Sequence, residues 1–169
     1  ATVGMRWPQK GRRGARRASR AAARVQAPAS QVVVVVRCGG RAAALPAMAV
    51  YRNPGCGCCE GWVKHMSAAG FAVTTEDDPD LAARRQSLKI PADLASCHIA
   101  LSDGYAFEGH IPAEDVVKFL TERPAGAIGL VVPGMPMESP GMESGGSAEA
   151  YDVLLVSANA APRVYASHG

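Results

Sequence analysis

The first 59 residues of this 169-residue sequence contain no aspartate and no glutamate. Ten of the eighteen basic residues lie between Arg6 and Arg41, and every acidic residue lies at or after Glu60. Residues 1–46 therefore carry a charge of +10 and residues 47–169 a charge of −7, so the overall value of +3 describes neither part. This asymmetry predicts a basic extension joined to an acidic domain.

Long hydrophobic runs are also missing from the sequence. The longest run, Val32 to Val36, ends at Arg37 and is far shorter than the roughly 18 residues that span a bilayer. We therefore predict no membrane span. The extension has no aromatic residue apart from Trp7 and no recognisable binding motif, so contact with nucleic acid is not predicted either.

The extension has the composition of a targeting segment. Residues 1–46 are rich in Arg, Ala, Gly and Ser and show no sustained hydrophobic period, which is typical of an organelle transit peptide. We predict that the segment lies outside the fold and directs the protein to a plastid or mitochondrion. The alternative is a bacterial export signal and a periplasmic location, because Ala47-Met48-Ala49 resembles a cleavage site, although Arg37 and Arg41 interrupt the apolar segment that precedes it.

Strand and helix patterns alternate along residues 47–169. Strands are predicted at 48–51, 71–75, 99–101, 105–107, 153–156 and 164–165, and helices at 60–69, 79–88 and 112–122. Residues 126–147 contain six glycines and three prolines, which predicts mostly loop. The order β-α-β-α-β-β-α, followed by a strand pair, predicts an α/β, thioredoxin-like fold with a Gly/Pro/Met-rich loop and C-terminal strand additions.

Cysteine is the residue type that carries most of the chemistry. Three of the five cysteines stand in the motif Cys56-Gly57-Cys58-Cys59, which is poor material for a disulfide framework. The motif comes where a strand turns into a helix, and there the helix dipole and unpaired backbone N–H groups favour the thiolate. A thiolate is both a nucleophile and a metal ligand. A fourth thiol, Cys97, comes from a distant part of the domain.

Two functions are compatible with this motif. Cys56 and Cys59 form the C-x-x-C pair of a thiol–disulfide oxidoreductase, but Cys58 gives such an enzyme no evident advantage. Extra thiolates do help to bind a soft metal. Cu(I) is therefore the favoured metal, and zinc, which usually takes two separated cysteine pairs, is less favoured. Because the adjacent Cys58 and Cys59 are not expected to face one centre, a cluster with thiolates that bridge several Cu(I) ions is favoured.

Histidines and methionines are weaker candidate ligands than the cysteines. His98 follows Cys97, and on a strand the two side chains would leave from opposite faces unless the backbone bends. His65 lies two helical turns from Cys58, and we predict a surface or packing role for it. The candidate ligands beyond the cysteines are His98, His110, Met135, Met137 and Met142. Hydrogen bonding by the histidines and packing by the methionines are the alternatives.

Four segments of the chain carry a resemblance to a known family. They are Cys56-Gly-Cys-Cys-Glu-Gly-Trp62, Pro91-Ala-Asp-Leu-Ala-Ser-Cys97-His98, Glu108-Gly-His110-Ile-Pro112, and Pro133-Gly-Met-Pro together with Ser139-Pro-Gly-Met-Glu143. Over about residues 48–168 the chain resembles the CopG-type family of predicted metal-binding proteins, which is associated with bacterial copper resistance. The resemblance implies a thioredoxin-like fold with a copper site held by Cys56, Cys58, Cys59 and Cys97.

From the residues and the resemblance we expect a copper-binding protein for copper resistance or homeostasis. Copper ions and other copper-handling proteins are its expected partners. We predict a metal-binding protein rather than an enzyme. The alternative is an oxidoreductase that uses Cys56 and Cys59 for thiol–disulfide or copper-redox chemistry.

Overall fold

The computed structural model describes residues 44–169, so the predicted extension, residues 1–46, lies outside the described residues except for its last three. The described part contains seven strands, three α-helices and one short 3-10 helix. Among its helices, none combines the length and the apolar composition that crossing a membrane requires. The predicted α/β class is confirmed.

The helices and strands follow the chain in the predicted alternation, with one additional strand before the predicted C-terminal strand pair. The strands are β1 (Met48–Arg52), β2 (Val73–Asp77), β3 (His98–Ser102), β4 (Tyr105–Glu108), β5 (Ala127–Val131), β6 (Tyr151–Ser157) and β7 (Ala160–His168). The helices are α1 (Gly57–Ala68), α2 (Leu81–Ser87) and α3 (Ala113–Glu122), with the 3-10 helix at Ala92–Leu94.

All seven strands belong to one sheet with the order β2-β1-β3-β4-β5-β6-β7. The pairs β1–β2 and β4–β5 are parallel, and the other four pairs are antiparallel. In the β1–β3 pair, Arg52 lies opposite His98. The C-terminal end of β1 and the N-terminal end of β3 therefore lie side by side. The cysteines lie at this end of the two strands.

Alternation along the strands divides the core between the two faces of the sheet. One apolar cluster joins Phe107 and its neighbours to α1 and α3 through Trp62 and Phe119. The other cluster joins Ala106 and its neighbours to α2 through Leu81. The two longer helices thus cover one face, and α2 covers the other.

The strand β5 was missed by the sequence analysis, which assigned residues 126–147 mostly to a loop. The apolar run Ala127 to Val131 is interrupted by Gly129, and that glycine weakened the strand pattern. A Cβ built at Gly129 would lie 1.6 Å from the carbonyl oxygen of Ala106, so the close pairing of β4 and β5 requires glycine there. Tertiary pairing, which a local pattern does not report, overrides the weak propensity.

Candidate metal centre

The cysteine motif forms the beginning of α1. Strand β1 ends at Arg52, the turn Asn53-Pro54-Gly55 follows, and Cys56 is the N-cap residue of the helix. The Cys56 sulfur accepts a hydrogen bond from the backbone N–H of Cys59 at 3.4 Å. The helix begins three residues earlier than predicted because this sulfur performs the capping that the sequence pattern did not reveal.

Cys97 reaches the motif through the antiparallel pairing of β1 and β3. It immediately precedes β3, and its carbonyl oxygen accepts a hydrogen bond from the N–H of Asn53 at 3.2 Å. This hydrogen bond links Asn53, the residue after β1, to Cys97, the residue before β3. Cys97 therefore lies beside the motif, as the resemblance implies, with its sulfur 3.4 Å from that of Cys59.

Four cysteine sulfurs lie together beside the end of β1 and the beginning of β3, all within 4.8 Å of one another. Cys56 and Cys59 form a disulfide, while Cys58 and Cys97 are free thiols. The Cys58 sulfur lies 3.3 Å from that of Cys56 and 3.7 Å from that of Cys97. Each sulfur therefore has two sulfur neighbours. The adjacent Cys58 and Cys59, which were not expected to face one centre, both reach Cys97.

Two buried imidazoles lie on the other side of Cys97. Its sulfur is 3.4 Å from Nδ1 of His98 and 3.2 Å from Nε2 of His110. Cys97 precedes the strand rather than lying within it, so the expected divergence of Cys97 and His98 to opposite faces does not occur. Together the three residues form a second group whose ligand atoms lie within 4.8 Å of one another.

Burial controls the protonation of this second group. Desolvation, with a contribution from Cys58, raises the pKa of the Cys97 thiol to about 12. Desolvation, with a contribution from His110, lowers the pKa of His98 to about 3, and desolvation also lowers the pKa of His110. Both imidazoles are therefore neutral near pH 7, which is the protonation state of a metal ligand or a proton acceptor.

Hydrogen bonds and packing fix the two imidazoles. Nδ1 of His110 lies 2.8 Å from the carbonyl oxygen of Pro140, to which it donates, so its Nε2 keeps a lone pair facing Cys97. The ring of His98 packs against Trp62 at 4.5 Å between centroids. The Trp62 indole itself donates to the carbonyl oxygen of Ile111 at 2.8 Å. In the described part of the chain, Nε2 of His98 is buried without a hydrogen-bond partner.

A buried ion pair holds the segment that delivers Cys97, and sequence reasoning did not find it. Glu108 is fully buried and accepts hydrogen bonds from the N–H of Ser96 at 2.7 Å and from Arg85 at 2.9 Å. Arg85 also donates to the carbonyl oxygen of Ser96 at 2.5 Å. Desolvation raises the pKa of Glu108, against the opposing effect of these two donors. The position of Glu108 at the end of an apolar strand gave no sign of its burial.

The loop 133–143 covers the beginning of α1. Gly141 has a φ of +89°, and a Cβ built there would lie 2.6 Å from the carbonyl oxygen of Cys58. The loop is also fixed by a contact of 2.6 Å between Nε2 of His65, which is exposed, and a carboxylate oxygen of Glu143. Only a residue without a side chain allows the loop backbone to lie directly on the helix.

The three candidate methionines of this loop differ in exposure. Met135 is 51% exposed and Met137 is 42% exposed, whereas Met142 is half-buried. Met135 and Met137 are thus exposed near one end of the loop 133–143. The other end of this loop packs on the cysteine motif through Gly141. Their predicted role as ligands stays a prediction.

The arrangement suits a soft metal when its disulfide is reduced. Metal–sulfur bonds of about 2.3 Å in a tetrahedral site place neighbouring sulfurs about 3.8 Å apart. The contacts of Cys58 and Cys97 with their sulfur neighbours, from 3.3 to 3.7 Å, are close to that separation. Small shifts of the side chains would therefore bring four thiolates around a metal, with two imidazole nitrogens beside Cys97.

The chain is similar to one family model and to two solved structures. A family model described as a protein of unknown function, DUF411, matches residues 94–142. The chain is 40% identical to the solved structure named Copper resistance protein copG, Form 1, with a TM-score of 0.69 over 73% of this chain and 98% of that one. Form 2 of the same protein is 39% identical, with a TM-score of 0.69 over 74% of this chain and 99% of that one. No curated protein sequence matches the chain.

Proposed function

The chain belongs to the CopG-type copper-resistance family, and from this premise we propose that it binds Cu(I) through Cys56, Cys58, Cys59 and Cys97 in copper resistance or homeostasis. The observation that carries the proposal is the convergence of four sulfurs, three from one helix terminus and one from the residue immediately before β3. Thiolates are soft ligands that select Cu(I). Because each sulfur has two sulfur neighbours, the arrangement also suits thiolates that bridge more than one Cu(I) ion.

A thioredoxin-like core is part of the proposal. The order β1-α1-β2-α2-β3-β4-α3 and the arrangement β2-β1-β3-β4 of its strands support this assignment. Strands β5, β6 and β7 extend the sheet beyond that core. The proposed core places the cysteine motif at the N-terminus of its first helix, where thiolates are favoured.

Copper binding by all four sulfurs requires reduction of the Cys56–Cys59 disulfide. Two electrons and two protons convert the disulfide to two thiols, and each thiol releases its proton when it binds the metal. His98 and His110 add imidazole nitrogens next to Cys97, and we propose them as further ligands. Copper affinity is therefore expected to depend on the redox state of the protein.

The test is a competition titration of Cu(I) between the full chain and a chromophoric Cu(I) chelator, without oxygen and after phosphine reduction. We expect tight binding by the reduced protein. Binding is expected to weaken when the Cys56–Cys59 disulfide is intact and to weaken sharply in Cys58→Ser. Cys38, the fifth cysteine of the sequence, lies outside the motif and the described residues, so Cys38→Ser is the matched control and should bind as the parent does. Equal affinity of the parent and Cys58→Ser would contradict the proposed site.

The second candidate function is thiol–disulfide oxidoreduction by Cys56 and Cys59, which the disulfide between them favours. A C-x-x-C enzyme should retain most of its activity in Cys58→Ser and lose it in Cys56→Ser. The rate at which each variant reduces a small soluble disulfide substrate separates this function from copper binding.

A further inference from the structure

A cavity of about 490 Å³ opens between α2 and the segment that leads to β3. Protein sites for small ligands are commonly about 300–1,000 Å³ in volume, so this cavity is large enough for a small aromatic molecule. None of the described residues that line it is a cysteine or a histidine, so it lies outside the candidate metal centre. The lining residues are Ala82, Arg85, Gln86, Ile90, Ala92 and Ala95.

Most of the cavity wall is apolar and carries small side chains. Ala82 belongs to α2, Ala92 belongs to the 3-10 helix, and Ala95 follows that helix directly. Because the side chain of alanine is a single methyl group, these three residues leave space that longer side chains would fill. Ile90, which is 5% exposed, adds a larger apolar surface. An apolar molecule would therefore exchange contact with water for contact with these side chains.

Arg85 and Gln86 supply the polar part of the wall. The Arg85 guanidinium donates from Nε to Glu108 at 2.9 Å and from Nη2 to the carbonyl oxygen of Ser96 at 2.5 Å. These two bonds fix the guanidinium in place. A guanidinium has further N–H groups beyond the two that these bonds use, so Arg85 can also donate to a ligand in the cavity. Apolar walls with a few fixed donors are typical of small-molecule sites.

The charges around the cavity favour an uncharged ligand. The charge of Arg85 is already paired with Glu108, which is fully buried. The exposed Lys89 and Asp93, each next to a lining residue in the chain, carry opposite charges. Burial of a charge without a new partner costs much more than burial of a carbonyl group that accepts a hydrogen bond. A carboxylate ligand beside Arg85 would also lie near the carboxylate of Glu108.

We propose that this cavity binds an uncharged, mainly apolar small molecule whose carbonyl oxygen accepts a hydrogen bond from Arg85. The alanine methyl groups contact the apolar body of the molecule, and the guanidinium fixes its orientation. Ala95 precedes Ser96, and Arg85 donates to the carbonyl oxygen of Ser96, so the bound molecule also restricts the segment before Cys97. Binding uses no thiol and no metal, and it is therefore independent of the proposed copper site.

The experiment is an NMR titration of the metal-free, isotope-labelled full chain with naphthamide, an uncharged aromatic amide. Naphthoate, in which a carboxylate replaces the amide, is the matched probe for charge. Backbone resonances locate the bound probe, and the side-chain N–H resonances of Arg85 report the hydrogen bond to it. Hydrogen exchange of the Ser96 N–H, which is bonded to Glu108 at 2.7 Å, reports the segment before Cys97.

We expect saturable shifts of the Arg85 side chain and of the backbone of Gln86, Ala92 and Ala95, with slower exchange of the Ser96 N–H. Naphthoate should bind at least about tenfold more weakly than naphthamide, because its charge gains no new partner. The absence of saturable shifts at these residues would overturn the site. Equal or tighter binding of naphthoate would overturn the uncharged class of ligand. Unchanged Arg85 side-chain resonances would overturn the hydrogen bond, and unchanged Ser96 exchange would overturn the restriction of the segment.

The variant Ala82→Phe tests the location independently, because its ring occupies part of the cavity. It should weaken naphthamide binding by about tenfold or more, as steric changes in a pocket do. Ala83→Phe is the matched control, since Ala83 is the next residue of the same helix, is exposed and does not line the cavity. It should bind as the parent does. Equal affinities of the two variants would overturn the proposal.

A second copy of the chain is the alternative occupant of the cavity. Sedimentation of the full chain over a range of concentrations detects such an association, and we expect none through this surface. Self-association that Ala82→Phe abolishes and Ala83→Phe retains would overturn the small-molecule proposal. All these measurements are made without copper, so failure of the copper proposal is distinguishable from failure of this one.

Discussion

Cys97 makes the site a tertiary construction rather than a local loop. Its sulfur contacts those of Cys58 and Cys59 and lies next to Nε2 of His110. The other three cysteines lie within four residues of one another, and a short peptide would already bring them together. The fold contributes the fourth sulfur and the burial around it.

The substitution Cys97→Ser tests this contribution. We expect it to reduce the Cu(I) affinity of the reduced full chain by roughly 100-fold or more, because even residues that only orient ligands change metal affinity by 10- to 100-fold. Chelator competition measures the affinity. Cys38→Ser is the control and should leave it unchanged. If Cys97→Ser matches the parent, the four-thiolate site is wrong and a local site of three cysteines must replace it.

At the residue scale, the sequence indicated which cysteines belong together but not their surroundings. Spacing and position at a helix terminus nominated the motif, and the resemblance to the CopG-type family implied Cys97 as the fourth ligand. The mutual approach of Cys58 and Cys59 was not foreseen, since it depends on where Cys97 lies. The burial of Glu108 was not foreseen either, because a carboxylate in a strand ordinarily faces solvent, and its partner Arg85 comes from a separate helix.

At the scale of elements, the segment before β3 is held from three directions. The backbone of Ser96 is bonded to Glu108 of β4 and to Arg85 of α2, and its hydroxyl donates to the carbonyl oxygen of Gly134 at 2.5 Å. All these contacts fix the residue immediately before Cys97. The position of the Cys97 sulfur thus depends on β4 and α2, which carry no proposed ligand.

Glu108→Gln should lower both stability and copper affinity. The variant can still accept the N–H of Ser96 but loses the charge that pairs with Arg85. Disruption of a buried ion pair costs about 3 kcal/mol. We expect a lower melting temperature and a Cu(I) affinity reduced roughly tenfold.

The matched control is Asp78→Asn, which breaks the ion pair of 2.6 Å between Asp78 and Arg84 of the same helix. It should leave copper affinity at the parental value. Equal affinities of the Glu108 and Asp78 variants would show that the Ser96 contacts do not position Cys97.

Gly141→Ala should separate the loop 133–143 from α1. The added methyl would lie 2.5 Å from the backbone nitrogen of Trp62, and overpacking of this kind costs about 1–3 kcal/mol. We expect a lower melting temperature and weaker Cu(I) binding, because the hydrogen bond from His110 to Pro140 belongs to the same contact.

Gly134→Ala controls for backbone strain, since Gly134 has a similar positive φ of +69°, but a Cβ built there would meet no atom of the described residues within 4 Å. It should be the milder change. A larger effect of Gly134→Ala on melting and copper affinity would contradict the proposed role of the loop contact.

Elements were predictable where the local pattern was strong. The helix α3 and the β3–β4 hairpin carry clear signals, Pro112 before the helix and Asp103-Gly104 in the turn, and both were predicted within about one residue of their observed bounds. Strand β5 was not, because a single glycine interrupts it and its pairing partner is distant in the chain. The pairing of Arg52 with His98 in the β1–β3 register is also set by the tertiary structure, so a local pattern does not predict it.

At the scale of the whole molecule, Leu45 is the first of the described residues that packs against the apolar core. Leu45 is half-buried and packs against the cluster that contains Trp62 and Met66. The predicted domain, residues 47–169, and the predicted organelle location both stay predictions. The packing of Leu45 indicates that a shortened chain should begin before it.

A chain of residues 44–169 should therefore melt at the temperature of the full chain and bind Cu(I) equally well. A chain of residues 47–169 should melt a few degrees lower, because loss of the partly buried leucine costs about 1 kcal/mol. Calorimetry of the three chains measures the difference. Failure of residues 44–169 to fold would show that the domain needs the basic extension.

Copper should also stabilise the whole domain by linkage. Free Cu(I) at 100 times its dissociation constant adds about 2.7 kcal/mol to the free energy of unfolding. For a domain of this size we expect a rise in melting temperature of roughly 10 °C. A peptide of residues 51–69, which lacks Cys97, should bind much more weakly than the domain.

The central claim, that this site holds copper as Cu(I), is tested most directly by the metal that the protein takes from a cell. The full chain is purified without oxygen from cells supplied with both copper and zinc, and its metal content and copper oxidation state are measured by elemental analysis and X-ray absorption. We predict bound copper in the Cu(I) state, with sulfur ligands and without stoichiometric zinc. Stoichiometric zinc without copper, or a metal-free protein that retains the Cys56–Cys59 disulfide, would contradict the account.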